Sequence, residues 1–446
     1  MIFYIIGVLI LLYSIIDEKR GFIYFIGFNL FLNSNITLIS IPGIPVLSLQ
    51  DFMIIVYLFI SISKRNLLKA KISMPWMTPY VFITISMFFT CFFSIAGLSQ
   101  EITAVVKIML ETLILLILMW EHLESKKDFI ILYKMFTIIF LVSCIYGLFE
   151  YSVQINPLTL YEQTLNHDAS KVIDNIYEIG TARGYRINSI FFHAIGAGCN
   201  WAMYIILTFL LFVRENSTKY VNWISIVTSF LCFICIILTK QRSPFIFLII
   251  GLLASVSIKR KRMYILAIIC SIGLIFVWPY LDANLNIVLS IFDKTNSVGG
   301  SSIEMRKEQF EAAFHLIKAS PIFGLGSKYT SYISNQYTNA VLGMESIWLT
   351  SGIMYGIIGM FTNVYLLYYQ LVKIIRYYKI HFMFFYVLGY WILESITTTP
   401  GLNVALHYTV LMFFIKNSNK YKMLNEDKRI QEWRICNNKI IKKHVY

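Results

Sequence analysis

Four stretches of this chain place cationic or carboxylate side chains where the surrounding sequence is otherwise apolar. Arg183 and Arg186 sit in Thr181-Ala-Arg-Gly-Tyr-Arg-Ile-Asn-Ser189, with His193 close behind. Lys240 and Arg242 occupy the short turn Thr239-Lys-Gln-Arg-Ser-Pro244. Arg306 lies on an amphipathic pattern from Ile303 to Ile317, where the i, i+4, i+7, i+11 spacing predicts one helix face for Arg306, Phe310, Ala313 and Ile317. Glu345 opens the next apolar run in Met344-Glu-Ser-Ile-Trp. A guanidinium is planar and permanently charged, and its fork of donors matches phosphate oxygens two at a time. Any one of these arginines also reads as a side chain snorkelling to lipid headgroups. Several on one surface point to a phosphate or pyrophosphate ligand. Glu345 is able to serve as a base toward a hydroxyl, or simply to open a helix and meet its dipole. His193 and His315 are the other acid–base candidates, and each also reads as structural.

The elements that position these groups are apolar. Hydrophobic residues make up 58% of the 446-residue chain and charged residues 14%, with mean hydropathy +0.68. A soluble chain of this length needs more charge to cover its surface, so the composition predicts an all-α, polytopic integral membrane protein. Runs long enough to cross hydrocarbon fall near 1–16, 21–41, 46–62, 78–98, 102–120, 129–152, 190–213, 221–239, 245–258, 263–280, 345–370, 381–397 and 403–415. That corresponds to about 11–13 transmembrane helices at the length needed to span roughly 30 Å. The first run ends in Asp17-Glu-Lys-Arg20 and has no basic leader, so it reads as a retained span and not a removed signal peptide.

The Lys and Arg residues concentrate in alternate connections. By the positive-inside rule the basic tail, 416–446, is cytoplasmic, and the long connections, about 153–189 and 281–344, face outward. The transmembrane domain is thus 1–415, with one large outward loop carrying amphipathic helices. Most of the formal net charge of +14 is a topology signal, and the tail suits attraction to anionic membrane lipid, with no nucleic-acid site. The outward arginines run against that trend and require a local reason.

Other polar residues in the apolar runs read structurally. Lys107 and Glu111 are spaced to neutralise one another. Asp51, Glu150 and Glu394 have no partner in sequence and can line a cavity. Gly352, Gly356 and Gly359 form a small-residue pattern expected at a close helix–helix contact, and Cys232-x-x-Cys235 is expected to pack. The sequence has no P-loop, no GxGxxG, no Asp-x-Asp pair and no metal-ligand cluster, so no cofactor or metal is expected.

At these residues the chain resembles the O-antigen polymerase and O-antigen ligase superfamily of bacterial envelope glycan enzymes. The resemblance rests on Leu238-Thr-Lys-Gln-Arg242-Ser and on the Arg306 helix ending in Ala319-Ser-Pro-Ile-Phe-Gly-Leu-Gly326. It extends to Ser351-Gly-Ile-Met-Tyr-Gly-Ile-Ile-Gly359 and to Arg183/Arg186 with Phe192-His193. It implies metal-independent glycosyl transfer at the outer face of the cytoplasmic (inner) membrane. The implied donor is an undecaprenyl-pyrophosphate-linked oligosaccharide, with Arg242 and Arg306 on the pyrophosphate, Arg186 and Arg183 assisting, and a chain-length regulator and a flippase as partners. The ligase branch typically has a His where this chain has Glu345 and Ser346, which favours a polymerase of O-antigen or capsule repeats with Glu345 as base. A ligase that moves the finished glycan to an acceptor remains open. So does a flippase for the same lipid-linked glycan, although a transporter is expected to show related halves and charge at the membrane midplane.

Overall fold

The computed structural model describes residues 2–30, 32, 36–39, 47–65, 74–164, 185–191, 193–214, 221–253, 303–329, 344–396, 404–418 and 421. The expected span at 263–280, Arg183, and the tail beyond 421 lie outside the described residues. The described residues are helical almost throughout, as the composition requires. In lipid only internally bonded backbone is tolerated, and helices meet that demand within one segment.

The helices are α1 (Ile2–Ile16), α2 (Glu18–Phe28), α3 (Leu49–Arg65), α4 (Met77–Thr90), α5 (Leu98–His122) and α6 (Lys126–Val153). They continue as α7 (Pro157–Thr164), α8 (Ala194–Arg214), α9 (Trp223–Leu238), α10 (Ser243–Leu253) and α11 (Ile303–Ala319). The last are α12 (Ile347–Tyr377), α13 (Phe384–Ile396) and α14 (Val404–Lys416). Among the described residues, α5, α6, α8 and α12 are long and apolar enough to cross a membrane, and shorter apolar helices pack beside them. The chain is therefore an all-α polytopic membrane protein.

The expected span at 21–41 is corrected. Helix α2 stops at Phe28, and Thr37–Ile39 pairs instead with Leu47–Ser48 as a two-stranded antiparallel arm. The reason is in the sequence: asparagine, at positions 29, 33 and 35, is a residue type that disfavours a helix interior, and proline, at 42 and 45, lacks the N–H that one uses.

Two ends of the bundle are held by polar contacts. At one, Lys416 on α14 donates to the carbonyls of Trp120 and Leu123 at the α5 C-terminus and lies 4.3 Å from the Trp120 ring. A cation there meets both orphan carbonyls and the negative end of the helix dipole. Close by, His122 Nε2 lies 2.9 Å from Glu18 Oε1, and Lys19 lies 2.9 Å from Asp128.

At the other end α12 is broken. Gly356 has φ 66° and ψ −164° in the middle of the helix, a region essentially closed to side-chain-bearing residues. In an unbroken helix Ile353 O would accept from Ile357 N. Here the turn after α11 enters the gap: Leu325 N donates to Ile353 O (2.8 Å), Gly326 N to Met354 O (3.0 Å), and Ile357 N to Pro321 O (2.9 Å). The freed backbone groups are thus satisfied by the Ser320-to-Gly326 turn. Gly324 and Gly356 make the approach possible, since a Cβ on either would sit 2.3 Å from a backbone oxygen of the other segment. The small-residue reading is therefore corrected at Gly356, which is a docking break, while Gly352 does meet α11 through Ile317. Gly356→Ala is expected to cost about 3 kcal/mol or more from backbone strain and overlap. The measurement is a lowered thermal midpoint in detergent; a wild-type midpoint would contradict this account of the break.

Several intramembrane polar expectations are also resolved. Lys107 lies 3.9 Å from Glu111 and 4.0 Å from Asp51, so Asp51 joins that pair. Glu150 does not face a cavity: its carboxylate accepts from Asn188 N, Ser189 N and Tyr185 Oη at 3.1, 2.6 and 2.9 Å. Cys232 and Cys235 are buried free thiols packed on Cys144, with 3.5 Å between the Cys144 and Cys232 sulfurs.

Candidate pyrophosphate site

The turn between α9 and α10 sets the first pair of cations. Thr239 ends α9, Lys240 takes a left-handed conformation (φ 53°), and the Arg242 carbonyl accepts from Phe245 N and Ile246 N to start α10. Pro244 seats this turn against α8, where a Cβ on Gly198 would lie 2.6 Å from the Pro244 ring. The loop before α8 lies alongside, since Ile187 N reaches Leu238 O at 3.5 Å. Glu150 fixes that loop by gathering the Asn188 and Ser189 amides, and Asn156 adds bonds to Asn188 Oδ1 and Ser189 O at 3.1 and 2.7 Å. Arg186 is thereby brought beside Lys240. Burial lowers the Lys240 pKa, and the Arg186 charge lowers it further.

The second cluster joins Arg242 to α11 and α12. Arg306 Nη2 donates to Glu345 Oε2 at 3.2 Å, with both side chains partly exposed. Arg242 has its pKa lowered first by burial and then by the Arg306 charge. Two guanidinium groups held close repel one another, and an anion that pairs with both relieves that repulsion. Glu345 does not cap α12: Ser346 is the N-cap residue, and the Glu345 carboxylate is turned to Arg306.

The face predicted for α11 is corrected. Ala313 and Ile317 do pack on α12 in a cluster with Ala312, Leu316, Leu325 and Met344, but Phe310 is 60% exposed. Gln309 takes the inward place, three residues from Arg306. The apolar residue at i+4 belongs to the outer face with Phe314, where Lys318 lies over the Phe314 ring. His193 sits at the start of α8, and its Nδ1 accepts from Ile195 N at 3.1 Å, a cap-like role. His315 is on the exposed face of α11. Arg183 lies outside the described residues.

Three polar residues near these elements gave no signal by composition or spacing. Gln241 lies between Lys240 and Arg242, is buried, and its Nε2 has no hydrogen-bond partner among the described residues. Thr350, in the first turns of α12, is likewise buried with Oγ1 lacking a described partner. Both retain unused hydrogen-bonding capacity inside the fold. The third is Glu101, fully buried at the start of α5.

The fold and the site together define a polytopic, all-α membrane protein with a cationic cluster and one carboxylate at one end of its bundle. Residues 227–364 match a family model described as O-Antigen ligase, a segment that spans Arg242, Arg306, Glu345 and Gly356. The match supports the resemblance to the O-antigen polymerase and ligase superfamily and indicates a polymerase- or ligase-type function without separating the two. No curated protein matches the chain. Among the described residues no group of His, Cys, Asp and Glu is arranged to hold a metal ion.

Proposed function

We propose that this protein polymerises undecaprenyl-pyrophosphate-linked oligosaccharide repeats into O-antigen or capsular polysaccharide at the outer face of the bacterial inner membrane. The observation that carries this reading is the Arg306–Glu345 pair at 3.2 Å beside Arg242. A hydroxyl of the acceptor sugar attacks the anomeric carbon of the donor glycan. The bond from that carbon to the pyrophosphate oxygen breaks, and the pyrophosphate leaves with its charge taken by Arg242 and Arg306. Glu345 accepts the hydroxyl proton. Lys240, two residues before Arg242, and Arg186 beside it add positive potential. Donor binding also prepares the base: a pyrophosphate drawn to Arg306 competes with Glu345 for its N–H groups and releases the carboxylate toward the acceptor.

The test is an in vitro one. Purified protein is mixed with lipid-linked repeat units and no added metal, and products are read on a gel. A ladder of increasing chain length is expected. Transfer only onto an acceptor that carries no polyprenyl pyrophosphate would instead establish the ligase reading.

A further inference from the structure

Glu101, at the start of α5, is fully buried and lies far in sequence from the Arg306 helix. Its carboxylate receives four hydrogen bonds. Ser327 N lies 2.9 Å from Oε1 and 3.0 Å from Oε2, Ser327 Oγ lies 3.0 Å from Oε2, and Ser94 Oγ lies 2.9 Å from Oε2. Around it the α4–α5 connection grips the same turn: Thr90 Oγ1 donates to Phe323 O at 2.7 Å, Ile95 N to Leu325 O at 3.2 Å, and the Phe93 and Phe323 rings stack at 4.3 Å. Gly326, at φ 90°, lets the chain pass so close that a Cβ there would lie 2.6 Å from Glu101 Oε2. A buried carboxylate is costly unless it is filled with donors, and this one is filled by the turn that plugs the break in α12.

The plug is the platform of the site. Leu325 and Tyr329 pack in one cluster with Ala313 and Leu316 of α11, Ile353 of α12, and Met344, the residue before Glu345. The turn thus fixes the end of the helix that carries Arg306 and packs in one cluster with the residue next to Glu345. We propose that Glu101 is a positioning residue for the Arg306–Glu345 pair: by clasping Ser327 it holds the turn in the α12 break and so sets the distance between guanidinium and carboxylate. This rests on the proposed polymerase reading, in which that pair binds pyrophosphate and takes the proton.

A double-mutant cycle tests it on the purified full chain with lipid-linked repeat units. Glu101→Gln keeps the volume but loses charge and one acceptor oxygen; Arg306→Lys keeps the charge but loses the fork. Each alone is expected to lower kcat by about tenfold, with KM and membrane abundance nearly unchanged for Glu101→Gln. Because residues acting through one network do not add, the double variant is expected to stay near the single-variant rate. A loss of about a hundredfold in the double variant, or wild-type kcat in Glu101→Gln, would overturn the proposal. If Glu101→Gln does not reach the membrane, Ser94→Ala with Ser327→Ala removes two of the three donor groups, leaves the carboxylate in place, and enters the same cycle with the same expectation. Wild-type rates in Arg306→Lys and Arg306→Ala would instead count against the polymerase site itself, a different failure. Lys307→Ala, on the exposed outer side of α11 where it pairs with Glu311, is the control expected to leave both constants unchanged.

Discussion

Arg306→Ala and Arg242→Ala are each expected to reduce chain elongation by about 10²–10³-fold, the usual loss when one charge-stabilising donor is removed from a transition state. In cells the product becomes single capped repeats in place of long chains, with the protein still in the membrane. Two features make this a catalytic and not a folding effect. Arg306 is 43% exposed in its side chain, so truncation opens no sealed cavity, and its one described partner, Glu345, is itself exposed enough to be hydrated. Arg242 carries a cost in the folded protein, since burial and the neighbouring Arg306 both work against its charge. Donor affinity is expected to fall along with turnover, because a guanidinium that pairs with pyrophosphate acts in both ground and transition states. Normal chain-length ladders in both variants would dispose of the site assignment.

How far the sequence led depended on the range of the forces involved. The helical, membrane-spanning class was legible because it follows from composition over hundreds of residues, and the pairing of Lys107 with Glu111 because i, i+4 neighbours meet on any helix. The cationic candidates were legible because charge in an apolar chain is conspicuous. Contacts decided by tertiary geometry were not. Phe310 fits the Arg306 face by spacing, yet Gln309, one residue earlier, takes that place, since the packed face of α11 is set by the small residues Ala312 and Ala313 against α12. Gly356 has the signature of a helix contact and instead ends one half of a helix, because its partner is a backbone turn 30 or so residues earlier in the chain, a pairing that no local pattern encodes. Glu150 and Glu101 show the same limit. A buried carboxylate looks unpaired in sequence when its partners are backbone amides, which every residue except proline carries. The loop that carries Arg186 and the turn that supports Glu345 are both held in this way.

Glu345→Gln is expected to leave the site assembled and nearly silent, with kcat lowered by about 10²–10⁴-fold, the range a positioned general base contributes. Glutamine keeps the size of the side chain and an oxygen for Arg306 Nη2, so the 3.2 Å contact survives as a neutral hydrogen bond. What changes is that no carboxylate remains to take the acceptor proton, and that Arg306 is held less firmly. The donor then finds Arg306 more readily available, so KM is expected to stay level or fall while kcat drops. This is the reverse of Arg306→Ala, in which KM rises as kcat falls, and the contrast separates base from binding group in a way that a simple loss of folding cannot imitate. Full activity in Glu345→Gln would remove Glu345 as the base. The role would then pass to His193, whose Nδ1 already accepts the Ile195 amide and which would have to work through Nε2, or to His315 on the exposed side of α11. Single Ala substitutions at the two histidines in the Glu345→Gln background identify which, by the one that finally extinguishes the ladder.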